Sequence, residues 1–291
     1  MATASQWLAG ARPRTLSAAL APVAAGSGVA AYEGSFRLGI ALLALLVAMA
    51  LQVGVNYAND YSDGIRGTDD ERVGPVRLVG QKLAQPQQVK IAAFTAFGVA
   101  AVAGLLLVVV SQVWWLLPVG LVSVAAGWFY TGGSRPYGYA GLGEVSVFIF
   151  FGLVATAGTS WAQVGALTWP AIVAAVPIGL WSSAILLANN IRDIPGDTVA
   201  GKNTLAVRLG DRRARLAYSG CLLVGFLVGA SLGLVHLWAL LVLLALPLAI
   251  APIKAVQSGA SGRDLIGVLV ATSTVLLAGG LLLGLGLALP A

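Results

Sequence analysis

The feature that most constrains this chain is a succession of long apolar runs, each followed by a short polar segment. Only 10% of its 291 residues are charged, whereas a soluble domain is nearer a quarter, so most of the chain must face lipid or other apolar helices. Because a helix needs roughly 20 apolar residues to cross a bilayer, the runs predict an all-α membrane protein, a bundle of about nine transmembrane helices. The predicted spans lie near 15–33, 38–59, 89–111, 113–131, 142–162, 167–189, 215–235, 237–254 and 264–288.

Little sequence is left outside these spans, so residues 1–291 are expected to form a single integral-membrane domain. No cleavable signal is expected, because the first residues lack a basic start followed by an apolar core. A single cysteine and a single histidine exclude an intrachain disulfide and most metal sites or catalytic triads built on these residues.

The basic residues predict the orientation of the bundle. With nine spans, the amino terminus and the loops after spans two, four, six and eight share one side, and of the 17 lysines and arginines only Arg37 falls on the other. Positive residues mark the cytoplasmic side of a membrane protein, so these loops are expected to face the cytoplasm. The net charge of +6 reflects those loops, and because no basic stretch is interleaved with exposed aromatics, no nucleic-acid partner is expected.

Two acidic motifs of similar layout end the second and sixth predicted spans, on the predicted cytoplasmic side. Residues 56–70 read NYANDYSDGIRGTDD, and residues 189–197 read NNIRDIPGD. The matching positions are Asn56 and Asn189, Asp60 and Asp193, and Asp63 and Asp197. Steps of three and four residues keep side chains on one helix face, where carboxylates repel each other unless a cation lies between them. Since hard oxygen ligands favour Mg²⁺ with substrate phosphates, the motifs predict a magnesium site that binds a diphosphate.

The residues alone leave an alternative for this site. Any one of these aspartates could be a helix cap or a solvated loop residue, and Asp69 is open between a site role and a solvated loop. Pro195 and Gly196 predict a break in the helix before Asp197, which weakens the one-face argument for the second motif. Nearby groups suited to a diphosphate are the amides of Asn56 and Asn189 and the cations of Arg66, Arg77, Arg192 and Lys202.

Two further segments border the predicted cytoplasmic side. Residues 130–144, rich in glycine and aromatics, form either an ordinary interfacial turn or a lid or wall over the site. The arginines of ARPRTL, residues 11–16, either flank the first span or capture an anionic substrate. Arg14 is the candidate for such a contact.

These motifs resemble those of the UbiA superfamily of intramembrane aromatic prenyltransferases, whose members carry two aspartate-rich motifs on a bundle of about nine spans. Asn59-Asp60 with Asp63 matches the family's NDxxD pattern. The chain departs from many relatives at Gly67, Ser134 and Asn190. These departures argue against the hydroxybenzoate branch. The segments similar to the 1,4-dihydroxy-2-naphthoate branch are ARPRTL, NYANDYSDGIRGTD, GPVRLV, YTGG, YAGLGE and NNIRDIPGDTVAGKNTLAVRLG.

The resemblance implies a magnesium-dependent enzyme of menaquinone biosynthesis in the bacterial cell membrane. It would transfer a polyprenyl group from polyprenyl diphosphate to 1,4-dihydroxy-2-naphthoate, with loss of diphosphate and CO₂, to give demethylmenaquinol. The implied metal ligands are Asp60, Asp63, Asp193 and Asp197, and Tyr130 would line the cation region. The implied substrate contacts are Arg14, Asn56, Asn59, Arg66, Asp69, Arg77, Asn189, Arg192 and Lys202.

Two alternatives remain open. One is a related prenyltransferase that uses 4-hydroxybenzoate or another aromatic acceptor. The other is a cation transporter, because intramembrane carboxylates often mark ion paths. Transport sites usually lie near the bilayer midplane, whereas of the 11 acidic residues here only Glu33 lies away from the predicted cytoplasmic loops. That placement favours catalysis at an interface.

Overall fold

The computed structural model describes residues 2–67 and 76–290, and within these ranges it contains helices and no strand. The long helices are α1 (Ala4–Ala11), α2 (Ser17–Tyr32), α3 (Leu38–Ile65), α4 (Pro86–Ser111), α5 (Leu116–Phe129), α6 (Gly143–Val164), α7 (Trp169–Val199), α8 (Asp211–Leu234), α9 (Leu237–Gln257) and α10 (Asp264–Ala288). Short helical turns occupy Pro13–Thr15, Tyr137–Ala140 and Leu205–Leu209. The predicted all-α fold is confirmed.

The described helices provide seven or eight candidate membrane crossings. In the described ranges, 7 helices are long and apolar enough to cross a membrane, namely α3, α4 and α6 to α10. The helical pair Ala4–Thr15 and Ser17–Tyr32, bent by 45°, would make an eighth crossing. Helix α5 has 14 residues, fewer than a crossing requires. Every predicted span therefore contains a helix, but the count of nine crossings is not confirmed.

Helices α3 and α7 both extend beyond their predicted spans and carry the acidic motifs on their last turns. Helix α3 continues to Ile65, and α7 continues to Val199. The predicted break at Pro195 and Gly196 is wrong, because the helix passes through both residues. Pro195 lacks the backbone N–H that would bond the carbonyl of Ile191, and the helix continues to Val199 without that hydrogen bond.

Helix α7 is the most buried of the spans and lies at the centre of the bundle. It packs against α6, α8 and α10, while α2 packs along α10 and α3 pairs with α4. Trp181 of α7 is fully buried, and a Cβ at Gly225 or Gly279 would lie 2.3 or 2.4 Å from its ring. These small residues let α8 and α10 approach α7 closely, as is common between membrane helices.

Candidate functional site

A cavity of about 1080 Å³ lies among the helices, with the ends of α3 and α7 in its wall. One end of it is polar and receives side chains from both acidic motifs. The remainder is bordered mainly by apolar residues of α3, α4, α5, α6 and α10. The predicted site residues that line the cavity are Arg14, Asn56, Asn59, Asp63, Arg77, Tyr130, Asn189, Arg192, Asp197 and Lys202. Side chains of both motifs therefore line one cavity.

Asn56 ties α3 to the segment that precedes α2. Its side chain is 3% exposed, and its Nδ2 donates to the carbonyl of Ala11 at 2.9 Å and to Oγ1 of Thr15 at 3.0 Å. Gln52, one turn earlier on α3, donates to the same hydroxyl at 2.9 Å. These bonds hold the turn that carries Arg14 at the cavity wall. Asn56 thus holds the segment between Ala11 and Thr15 against α3.

Asn59 and Asp63 present oxygen atoms at the polar end of the cavity. They lie four residues apart on α3 and therefore on the same helix face. The Oδ1 of Asn59 accepts a hydrogen bond from the hydroxyl of Thr131 at 2.8 Å. Asp63 is 4% exposed, accepts a hydrogen bond from the hydroxyl of Tyr139, and lies 3.7 Å from the ammonium of Lys202. Asp63 consequently links the first motif to the segment after the second.

Tyr139 lies beside the Asp63 carboxylate and contacts residues of the first motif and of the segment after the second. The Lys202 ammonium lies 4.4 Å from the centre of its ring, and the Arg66 guanidinium lies 5.7 Å away. The backbone carbonyl of Tyr139 accepts a hydrogen bond from the backbone amide of Asn203 at 2.9 Å. The ring thereby contacts one cation of the first motif and one cation of the segment that follows the second. The glycine- and aromatic-rich loop is therefore a wall of the site.

Asp60 does not line the cavity, although the pattern predicts it as a metal ligand. It is fully buried, and its two carboxylate oxygens accept hydrogen bonds from the backbone amides of Leu78 at 2.7 Å and Val79 at 3.0 Å. By helical spacing Asp60 belongs to the face that carries Asn56 and Asp63, so its exclusion from the cavity comes from the backbone amides that bind both of its oxygens. In this structure Asp60 anchors the segment at 78–79.

Arg66 is also placed differently from the prediction. Its guanidinium donates to the carbonyls of Thr131 and Gly133 and to the carbonyl of Ser62 at 3.2 Å. These contacts use the side chain to fasten the loop after α5 to the end of α3. The structure does not bring Arg66 to the cavity as a diphosphate contact.

The second motif forms a compact network on α7. Arg192 donates through Nε and Nη2 to the two oxygens of Asp193, at 2.7 and 2.8 Å, and through Nη2 to Oδ1 of Asn189 at 2.7 Å. Asp193 itself does not line the cavity, whereas Asp197 does. The backbone amide of Lys202 donates to the carbonyl of Asp197 at 2.8 Å, and this turn returns the lysine to the site.

Two tyrosines lie where the polar end meets the apolar part of the cavity. The rings of Tyr130 and Tyr137 are 5.5 Å apart and nearly perpendicular. The Tyr137 hydroxyl donates to the carbonyl of Ala126 at 2.8 Å and lies 3.0 Å from Oγ of Ser146. Burial raises the pKa of Tyr137, and the Ser146 hydrogen bond opposes this in part. Tyr137 therefore remains protonated at neutral pH.

The predicted four-carboxylate metal site is not assembled in the described part of the chain. Within residues 2–67 and 76–290 no three Asp, Glu, His or Cys side chains are grouped closely enough to hold a metal ion. Asp69 lies outside the described residues. The oxygen-bearing motif side chains that do line the cavity are Asn56, Asn59, Asp63, Asn189, Asn190 and Asp197. Amide and carboxylate oxygens beside cations suit Mg²⁺ bound together with a diphosphate, so the donor set fits that ion.

Sequence reasoning missed several polar groups of the cavity wall. Tyr139 and Thr131 lie in the loop that was singled out only as a segment. Ser182 and Asn190 of α7 also line the cavity, and Asn190 was considered only as a departure from a pattern. Helical spacing could have identified the cavity face of α7, because Ser182, Ile185 and Asn189 lie three and four residues apart on one face.

Comparisons with known proteins agree with this architecture. The model of the UbiA prenyltransferase family matches residues 19–265. A 1,4-dihydroxy-2-naphthoate octaprenyltransferase of Mycobacterium tuberculosis is 53% identical over 277 residues, which are 95% of this chain and 94% of that protein. The protein of that name in Escherichia coli is 41% identical over 83% of this chain and 82% of its own length.

Solved structures show the same fold at low identity. A UbiA homologue from Archaeoglobus fulgidus bound to GPP and Mg²⁺ has a TM-score of 0.66 and 14% identity, and the match covers 96% of this chain and 99% of that one. A UbiA homologue from Aeropyrum pernix has a TM-score of 0.69 and 16% identity, with 90% and 96% covered.

Proposed function

The chain belongs to the UbiA prenyltransferase family, and on this premise we propose that it transfers a polyprenyl group from polyprenyl diphosphate to 1,4-dihydroxy-2-naphthoate. Loss of diphosphate and CO₂ gives demethylmenaquinol, an intermediate of menaquinone biosynthesis. The names of the relatives from Mycobacterium tuberculosis and Escherichia coli support the acceptor, since the similarity covers most of each chain.

The observation that carries this proposal is the division of one cavity into two chemically different parts. Its polar end combines motif oxygens with the cations Arg14, Arg77 and Lys202, which suits a metal-bound diphosphate. The rest of the wall is largely apolar and suits a polyprenyl chain and an aromatic ring. Such a pair of substrates explains why the site is built inside a membrane protein.

The first step breaks the allylic carbon–oxygen bond, and the bonding electrons leave with the diphosphate. Lys202 and Arg77 stabilise the charge that develops on the leaving group. Tyr139 and Asp63 keep Lys202 in place for this role. Mg²⁺, when bound, would neutralise diphosphate oxygens as a Lewis acid, with Asn59, Asp63, Asn189 and Asp197 as the residues available to hold it.

The second step forms a carbon–carbon bond between the allylic cation and the ring carbon that bears the carboxylate. Loss of that carboxylate as CO₂ returns its electron pair to the ring and restores aromaticity. Tyr130 and Arg14 both line the cavity, which supports a role for the Tyr130 ring beside the cation and for Arg14 as the partner of the acceptor carboxylate. The apolar wall excludes water, which would otherwise trap the cation as an alcohol.

Two broader features belong to the same proposal. The distribution of basic residues supports a polar end that faces the cytoplasm of a bacterial cell, with the substrates entering from the bilayer. The apolar helices support a multi-pass membrane protein. We also propose that residues 1–291 form one domain, because the central helix α7 contacts α6, α8 and α10 as well as α2.

An acceptor competition with purified protein tests the proposal. The protein in lipid would receive a polyprenyl diphosphate with equal amounts of 1,4-dihydroxy-2-naphthoate and 4-hydroxybenzoate, with and without Mg²⁺, and products would be identified by mass. We expect a magnesium-dependent prenylated naphthoquinol that lacks the carboxylate. A product from hydroxybenzoate alone would overturn the acceptor assignment, and no product from either would overturn the reaction.

A further inference from the structure

The cavity face of α7 carries polar groups that the steps above do not use. Ser182 is 4% exposed, lines the cavity, and its hydroxyl has no hydrogen-bond partner among the described residues. Asn190 is 8% exposed and also lines the cavity. The two residues are about two helical turns, or roughly 12 Å, apart along α7. Between them the half-buried side chains of Ile185 and Leu186 form an apolar floor.

Glu144 of α6 fixes the orientation of the Asn190 side-chain amide. Its side chain is 5% exposed, and its Oε1 accepts a hydrogen bond from Asn190 Nδ2 at 2.8 Å. Its Oε2 has no hydrogen-bond partner in the described ranges, so among side chains there the Asn190 amide is the one that hydrogen-bonds this carboxyl group. Because the carboxylate takes the NH₂ group of Asn190, the amide oxygen is left to accept a hydrogen bond from a ligand.

Resting on the proposed function, we propose that this face of α7 is the acceptor subsite and that it selects a dihydroxylated naphthoate. The naphthalene ring lies on Ile185 and Leu186. The hydroxyl beside the reacting carbon donates to Asn190, which is nearest the polar end of the cavity. The second hydroxyl, para to the first, reaches Ser182 deeper in the cavity. Glu144 acts as a positioning residue for Asn190.

The arrangement matches the shape and polarity of such an acceptor. Two hydroxyls para to one another lie on opposite edges of one ring, so they need partners on both sides of an apolar surface. A buried hydroxyl without a partner is unfavourable, and a ligand hydroxyl at Ser182 would satisfy it. Sites that hydrogen-bond a substrate hydroxyl reject analogues that lack it more strongly than apolar pockets reject a missing methylene.

Neighbouring serines on α7 provide a matched test. Ser183 is as buried as Ser182, but its hydroxyl donates to the backbone carbonyl of Glu144 at 3.0 Å and does not line the cavity. We would compare Ser182→Ala with Ser183→Ala for KM of each substrate and for inhibition by 1-hydroxy-2-naphthoate, which lacks the second hydroxyl. Thermal unfolding would establish that each variant is folded.

We expect Ser182→Ala to raise KM for 1,4-dihydroxy-2-naphthoate about tenfold, the effect of one good hydrogen bond. The inhibition constant of 1-hydroxy-2-naphthoate and KM for the polyprenyl diphosphate should stay unchanged, and Ser183→Ala should leave all three unchanged. An unchanged acceptor KM in Ser182→Ala, or an equal loss for the monohydroxy analogue, would overturn the subsite. So would a rise in KM for the diphosphate.

Two substitutions of Glu144 test its role as a positioning residue for Asn190. Glu144→Ala should raise the acceptor KM as Asn190→Ala does, whereas Glu144→Gln should keep it near the wild-type value, because glutamine still offers an acceptor to the Asn190 amide. Equal defects in Glu144→Gln and Glu144→Ala would refute positioning through this hydrogen bond. If wild-type protein fails to prenylate the naphthoate, the proposed function falls together with this inference. Active wild type with an unmoved Ser182→Ala overturns the inference alone.

Discussion

Replacing Asp60 by asparagine separates a structural carboxylate from a metal-binding one. Both oxygens of Asp60 accept backbone amides, from Leu78 at 2.7 Å and Val79 at 3.0 Å, in a fully buried position. Asparagine keeps one acceptor oxygen and places an NH₂ group against the second amide, which loses its partner. A hydrogen bond to a charged group is worth about 1.5–3 kcal/mol, and leaving a buried donor unpaired costs a similar amount. We therefore expect Asp60→Asn to lower the free energy of unfolding by roughly 2–4 kcal/mol.

The measurement is thermal unfolding of the purified variants in detergent, with product formation assayed on the same samples. A loss of that size corresponds to a decrease of roughly 5–15 °C in melting temperature for a chain of this length. Asp63→Asn is the matched variant, because its carboxylate lines the cavity and asparagine can still accept from the Tyr139 hydroxyl. It should lose turnover while its melting temperature stays near that of the wild type. Wild-type stability with abolished turnover in Asp60→Asn would refute the structural role and restore Asp60 as a ligand.

Three further predictions follow from the site and the packing. Tyr139→Phe loses the hydroxyl that donates to Asp63 but keeps the ring, so turnover should fall roughly tenfold at unchanged melting temperature; full activity would exclude a positioning role. Chelation with EDTA should abolish turnover and added Mg²⁺ should restore it, whereas activity that survives chelation would contradict a metal-bound diphosphate. Gly225→Ala brings a Cβ to 2.3 Å from the Trp181 ring, so unfolding should become easier by about 1–3 kcal/mol. Gly220→Ala, which has open space around it, is the control on the same helix, and equal effects of the two would contradict the packing argument.

Much of the fold could be predicted because the bilayer imposes it. Apolar runs of the right length must form helices in lipid, and each of the nine predicted runs contains one. The residues at which the helices end were less predictable, since α7 passes through Pro195 and Gly196, which usually end a helix. Whether α5 crosses the membrane depends on its neighbours and on tilt, which its 14 residues do not specify.

The candidate site was predicted in part, because helical spacing groups the motif side chains but does not show which of them are bound by distant backbone. Steps of three and four residues from Asn56 through Asn59 to Asp63 place all three on one face, and all three line the cavity. Asp60 lies on the same face by that spacing, four residues after Asn56 and three before Asp63, but its oxygens bind the backbone amides of residues 78–79 and it does not line the cavity. Sequence patterns do not show such long-range backbone contacts.

The positions of the cations and of the cavity wall likewise depend on long-range contacts that sequence patterns do not show. Arg66 was predicted to contact a diphosphate, but its hydrogen bonds go to loop carbonyls, which any sequence supplies. Lys202 was predicted and does reach the cavity, because the turn after α7 returns it to Asp63. Glu144 and Ser182 gave no signal of their own, since a single polar residue in an apolar run has many explanations.

The stoichiometry of the reaction tests the central claim most directly. Purified protein in lipid would receive Mg²⁺, a polyprenyl diphosphate and 1,4-dihydroxy-2-naphthoate labelled in its carboxyl group. Released CO₂, released diphosphate and prenylated product would be counted together. We expect one CO₂ and one diphosphate for each product, with no label left in the naphthoquinol. A prenylated product that keeps its carboxyl label, or diphosphate released without CO₂, would contradict the proposed reaction.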